Sequence, residues 1–355
     1  MATVITGDSI TTGSINGSLG GNADNRIING DFSVAQRGTS FTAATALTNA
    51  DTNFTLDRWK LLSDGSDIVD VTQSSTAPDN QLTSIALDVE TTNKKFGIAQ
   101  AIEQKDCIDL IGNEITLSFK AKASAVDKLD NVKAAIIAWS STANAPTADM
   151  ISAWGAEGTD PTLASNFTYE NTPANLNVTT SWATYSITAT VDTASTTNII
   201  VFIWSDVTDT TAGQFLYLTD VQLEKGAVAS DFNRPKFDDA LRHCKRYYQT
   251  IDNKIDQSGL RYFGLTGDSD GSSGSLGLQL FVPMVKQPAT ARSTGYELKD
   301  GGNSARSVTA INTFAGDNNQ YDRVRFMANS AAAGAGYLRF PDNSDFIEFE
   351  GEIEA

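Results

Sequence analysis

His243 is the single histidine of this 355-residue chain, and Cys107 and Cys244 are its two cysteines. A lone imidazole removes most zinc sites and leaves the serines without a His partner for nucleophilic chemistry. The two thiols have no metal-ligand spacing and do not make a disulfide scaffold. Carboxylates are plentiful, with 43 Asp+Glu. A glycosidase acid and base must stand ~5 to 9.5 Å apart, but so acidic a chain always offers candidate pairs, and their presence discriminates nothing. The run from Gly271 to Ser275 precedes no helix, so it reads as a surface turn rather than a phosphate-cradling loop. The expectation is a protein that is not an enzyme and carries no catalytic residues.

Charge narrows the partners. Lys+Arg number 26, and the formal net charge is −17. Phosphate-backbone binding draws its affinity from Lys and Arg, and no basic run appears, so no nucleic acid is expected. No apolar stretch approaches the ~18 to 20 residues of a membrane span, and the first residues lack the basic and apolar regions of a signal peptide. The expectation is no membrane insertion and synthesis in a cytoplasm without an export signal.

The elements that must position any site are short strands. From Arg26 to about Phe232, apolar or alternating runs are separated by polar turns, the pattern of an all-β sandwich. Eight runs stand out: 68–73, 83–90, 96–102, 114–123, 132–139, 184–191, 198–204 and 214–224. In 114–123, Ile115, Leu117 and Phe119 fall on one face and Thr116, Ser118 and Lys120 on the other. Eight strands suit an antiparallel jelly roll. A polar stretch of about forty residues, Ser140 to Ser181, is too long for a simple turn and is expected to pack on the sandwich and contribute to a surface site. Residues 235–248 read as a helix, with Phe237, Leu241, Cys244 and Tyr248 on one apolar stripe. Beyond it, runs beginning at Tyr262, Ser275, Ala305, Tyr321, Ala335 and Asp345 read as a smaller β domain. The division expected is an arm (1–25), a jelly roll (26–232), a helical connector (233–250) and a C-terminal β domain (251–355).

In the arm, Ile5, Ile10, Ile15 and Leu19 recur every four or five residues amid Gly, Ser and Thr. So short a repeat cannot bury its aliphatics within one chain. A partner surface is expected, either other copies wound about an axis, most simply a homotrimer, or a neighbouring protein.

Three segments together carry a resemblance. Asn29-Gly30-Asp31-Phe32 is followed by Gln36-Arg37-Gly38 and then Asp57-Arg58-Trp59. A closing strand and helix run from Leu216 to Thr250, and the β segments near 278–291 and 346–354 complete the order. The series resembles jelly-roll domains of bacteriophage virion proteins, related to the carbohydrate-binding modules that accompany polysaccharide-degrading enzymes. The resemblance implies a virion structural protein of a tail fibre or spike-like appendage, attached to other virion proteins by its arm and contacting host surface polysaccharide. The alternatives are a capsid decoration or head fibre protein, and a polysaccharide depolymerase or its binding module.

Saccharide binding on a β-sandwich uses aromatic faces for the sugar CH surface and polar side chains for its hydroxyls. Trp139 and Trp204 end strands, and Trp154 and Tyr169 lie in the long connection; these four are the expected glycan platform. Trp182 is assigned to the core or its rim. Asp57-Arg58-Trp59 reads as a structural knot, with the Trp inside and an Arg-Asp pair at the strand end. The resemblance also allows a structural calcium at Asp31 and Asp220, and no other cofactor.

Overall fold

A computed structural model describes residues 25–353, apart from 46–47, 127–128, 253–272, 300–304, 307, 316–320, 330–336 and 340–345. The arm residues Ile5, Ile10, Ile15 and Leu19, and the run beginning at Tyr262, lie outside the described residues.

In chain order the first strands are β1 (Ser40–Phe41), β2 (Lys60–Ser63), β3 (Val69–Ser74), β4 (Ser84–Val89), β5 (Phe96–Ala101), β6 (Glu114–Ala123) and β7 (Val132–Trp139). They continue with β8 (Ile151–Ala153), β9 (Thr162–Leu163), β10 (Phe167–Tyr169), β11 (Ala183–Thr190), β12 (Asn198–Ser205) and β13 (Phe215–Lys225). A six-stranded sheet, β1-β3-β4-β13-β6-β11, faces a five-stranded sheet, β10-β7-β12-β5-β2, and every pairing is antiparallel. This is a jelly-roll sandwich.

Side-chain parity fills the space between the sheets. Ile115, Leu117 and Phe119 of β6 point inward to meet Ile199, Val201 and Ile203 of β12 in one core. The alternate residues of β12, namely Ile200, Phe202 and Trp204, are buried on the opposite face. Strands β7 and β12 are therefore covered on both sides, which is what an unbroken apolar run such as Asn198–Ser205 specifies.

After the sandwich, α1 (Gln104–Cys107) having been a single turn within it, comes α2 (Phe237–Lys245). Asp238 and Asp239 lie in its first turn and Arg242, His243 and Lys245 in its last, matching the helix dipole. The expected stripe is only partly used: Cys244 is buried and Leu241 half-buried, but Phe237 is 57 % exposed and Tyr248 has left the helix for a strand. Ala240, packed with Val34 and Cys244, takes the place of Phe237.

The remaining strands are β14 (Tyr248–Asp252), β15 (Ser273–Met284), β16 (Ala289–Thr294), β17 (Glu297–Lys299), β18 (Ala305–Arg306), β19 (Val308–Ala315), β20 (Tyr321–Asn329), β21 (Tyr337–Arg339) and β22 (Phe346–Glu350). They form three antiparallel sheets, β14-β22-β16, β15-β20-β19 and β18-β17-β21, around Met284, Val324, Leu338, Ile347 and Phe349. The chain is thus all-β, with a jelly roll, a short helix and a second, smaller β region. Among the described residues, no helix is long and apolar enough to cross a membrane.

The two β regions are joined by the motif residues. Trp59 is fully buried 5.1 Å from Phe32, and its indole N–H donates to Asn29 O at 2.9 Å. Arg58, at φ +73°, does not pair with Asp57; it meets Glu352 beyond β22 and lies 3.6 Å above the Tyr247 ring. Asp57 instead accepts from the backbone N–H and side-chain amide of Gln36, both at 2.6 Å. The expected Arg-Asp knot is therefore a joint: each half of the pair holds a different partner, because a buried guanidinium and a buried carboxylate each need several hydrogen bonds.

Candidate functional site

The four aromatic residues expected to form a platform lie on the outer face of the five-stranded sheet, in one apolar cluster. In the β7–β12 register Trp139 is opposite Asn198 and Trp204 is opposite Lys133, so the two indoles sit at opposite ends of the strand pair. Trp204 stacks on Phe202 at 4.6 Å and 9°, with Tyr169 6.5 Å from it; Trp154 is 6.1 Å from Phe202. Trp139 packs against Phe167 at 4.6 Å, separately from that group.

The long connection roofs this face. Met150, Ile151 and Phe167 bury against it, and the β8–β9 hairpin crosses above. Trp204 is 0 % and Trp139 3 % exposed, so neither offers a free face; they are floor, not platform. The cause is the outward parity of Phe202 and Trp204, a large apolar surface that the connection removes from water. Trp154 and Tyr169 are half-buried and form the accessible rim. Gly97, opposite Trp204 in β5, permits the close approach: a Cβ there would stand 2.6 Å from Trp204 Cβ and 2.4 Å from Ile203 O.

A buried ion network fastens the roof. Asp206 meets Lys95 at 2.5 Å and Lys133 at 2.9 Å, with the carboxylate fully buried. Lys95 also donates to Ala156 O at 2.8 Å and Thr159 O at 2.9 Å, and Lys133 reaches Asp160 at 2.7 Å. Tyr169 Oη donates to Pro161 O at 2.8 Å, and burial pushes its phenol up from its ordinary range. The connection is thus fixed to the sheet at its tip and not only along its apolar side.

Asp31 and Asp220 come near one another where Val221 N–H donates to Gly30 O at 2.9 Å. Both are buried, but each already faces a cation: Lys120 Nζ is 2.8 Å from Asp220, and Arg234 Nε is 3.9 Å from Asp31. Asp31 Oδ1 further accepts from Ser33 Oγ at 2.9 Å. Calcium takes six to eight oxygen ligands. Among the described residues no group of three or more His, Cys, Asp or Glu side chains converges. With Lys120 paired to Asp220 and no third carboxylate converging, this donor set does not fit the calcium that the resemblance allows.

One aromatic pair outside the expected set lies on the other sheet. Trp182, just before β11, is half-buried 6.3 Å from Tyr217 of β13, and Tyr217 stacks on Phe215 at 5.6 Å. The signal was the alternation of Phe215 and Tyr217 with the inward Leu216 and Leu218, which puts both rings on the outer face.

No family model matches the chain, and no curated protein matches it. Among solved structures it is similar to the enzymatically active domain of tailspike protein 4 of bacteriophage CBA120, at 15% identity and TM-score 0.34, over 57% of this chain and 21% of that one. It is similar as well to a protein from Bacteroides thetaiotaomicron named for sugar binding, at 15% identity and TM-score 0.35, over 57% of this chain and 100% of that one. A third is the CBM22-1 xylan-binding domain of a Paenibacillus barcinonensis protein, at 12% identity and TM-score 0.30, over 51% and 93%. The chain spans only about a fifth of the tailspike chain.

Proposed function

We propose that this chain is a non-enzymatic virion protein of a tail fibre or spike-like appendage, whose jelly roll contacts host surface glycan. The observation that carries glycan contact is the rim of Trp154 and Tyr169, half-buried rings seated on the buried Phe202–Trp204 stack and held by the Lys95–Asp206–Lys133 network. Loops fixed on a rigid sandwich are where binding residues concentrate. The absence of catalysis is supported by how the buried carboxylates are used. Asp206 is bound to two lysines, Glu352 to Arg37 and Arg58, and Glu103 to Arg246. Each of these carboxylates is engaged in a structural ion pair. The virion setting rests on the ordered motifs Asn29–Phe32, Gln36–Gly38 and Asp57–Trp59, and on the aliphatic rhythm of the arm, proposed to attach or trimerise the chain.

Incubating the chain with host surface polysaccharide should give retention without new reducing ends. Reducing ends above a heat-denatured control would favour the depolymerase reading. Antibody labelling of intact virions should mark a tail appendage; label on the head would favour the decoration reading. Deleting residues 2–24 should leave folded β regions and remove attachment.

A further inference from the structure

We propose that a groove on the outer face of the six-stranded sheet, between the 77–81 turn, β6 and β11, is a second saccharide site that takes a neutral, hydroxyl-rich chain. It rests on the reading of the jelly roll as glycan-contacting, but it shares no residue with the Trp154 rim. Two adjoining pockets, of about 400 and 230 Å³, meet at Asp79, Lys120 and Thr184. Pockets of this size suit a sugar unit or two. Trp182 walls the first, and Asp220 and Asp231 lie in the second. The 230–233 segment closes one side of the groove, where Ser230 N–H and Oγ donate to Glu224 and Asn233 N–H donates to Gln222.

Asp220 is the observation that points to a ligand. Its side chain is 2 % exposed; Oδ2 is taken by Lys120 Nζ at 2.8 Å, and Oδ1 has no hydrogen-bond partner among the described residues. A buried carboxylate offers about four acceptor positions, and one ammonium leaves most of them open. Its placement is built into the backbone. The β13–β6 register shifts between Thr219 and Gln222, and Asp220 sits at φ +54° in that bulge. Bulges and left-handed non-glycine residues cost energy and recur where a side chain must be re-aimed. Gly30 braces the bulge, since a Cβ there would meet Val221 O at 2.1 Å.

Sugar hydroxyls are donors that would complete the Asp220 acceptors, while the Trp182 ring offers an apolar face to the CH side of a pyranose. Charge selects the class. Asp79, Asp220 and Asp231 face the groove against Lys120 alone, and the nearby Arg234 is engaged with Asn80 O at 2.7 Å and faces Asp31. The excess of negative charge opposes uronic and other anionic sugars.

The test is titration calorimetry of the whole chain against neutral, N-acetylated and uronic oligosaccharides. The wild type should bind a neutral or N-acetylated sugar and reject the uronic ones. Trp182→Ala and Asp220→Asn should each weaken binding about tenfold or more. Thr184→Trp, which fills the groove from an exposed position of β11, should do the same without touching the fold. If these variants keep affinity within about twofold and Trp154→Ala abolishes it, the groove is not a site and the glycan reading stands. Preference for uronic sugars overturns the charge argument. A wild type that binds no sugar overturns both.

Discussion

Arg37 and Glu352, 315 positions apart, meet at 2.9 Å with side chains only 1% and 2% exposed. Arg37 also lies 4.0 Å from the Tyr248 ring centroid and 3.2 Å from Glu350, while Glu352 reaches on to Arg58. One carboxylate thus holds two guanidiniums, each stacked on an aromatic ring, and ties the end of β22 to the jelly roll. Removing one partner from such a buried pair leaves an uncompensated charge, a loss of about 3 to 5 kcal/mol. Glu352→Gln should lower denaturant stability by that order and split a single unfolding transition into two. An unchanged single transition would show that the joint does not couple the two regions.

The Asp206 network makes a second prediction. Asp206→Asn leaves Lys95 and Lys133 without their shared carboxylate and disturbs the bond that Gly158 N–H donates to Asp206 at 3.1 Å, so the 156–160 segment is held only by lysines whose charge is no longer compensated. Stability should fall by about 3 to 5 kcal/mol. Tryptophan emission should shift to the red as Trp204 and Phe202 lose their cover. Emission that stays blue with the same loss of stability would mean that the apolar contacts alone keep the roof closed.

Much of this architecture was legible in the residues. Alternation located β6 at its own ends, and the runs at 132–139 and 198–204 became β7 and β12. The burial of Trp204 is legible in the same run: a stretch with no polar alternation is buried on both faces, so its terminal indole cannot be a platform. What local sequence could not carry was the partner of Arg58. Asp57 is adjacent and Glu352 is 294 positions away, and only the docking of β22 brings the latter in. Trp182 is half-buried beside Tyr217, consistent with a rim position, and which rings it neighbours there depends on the β13–β6–β11 order rather than on adjacent residues.

Acid should strengthen one edge of the six-stranded sheet. Asp70 is raised to about 6 by burial and then by Glu90, Asp67 and Asp88. A carboxyl with a folded pKa above its unfolded value of 3.8 gives stability that is full below that value and is lost as pH rises through about 6. Asp70→Asn removes this titration, so it should raise the melting temperature at pH 7 and flatten the decline between pH 4 and 7. A variant whose melting curve keeps the wild-type pH slope would place the titrating group elsewhere.

Retention of host surface polysaccharide by the wild-type chain and by Trp154→Ala, read beside their melting temperatures, tests the glycan-contact account most directly. An accessible stacking ring is worth roughly 1 to 3 kcal/mol to binding and little to folding. Trp154→Ala should retain clearly less polysaccharide with only a modest fall in melting temperature, since the ring is half-buried against Phe202. A sharply lowered melting temperature, with full retention by the folded fraction, would make Trp154 part of the roof alone and contradict the account.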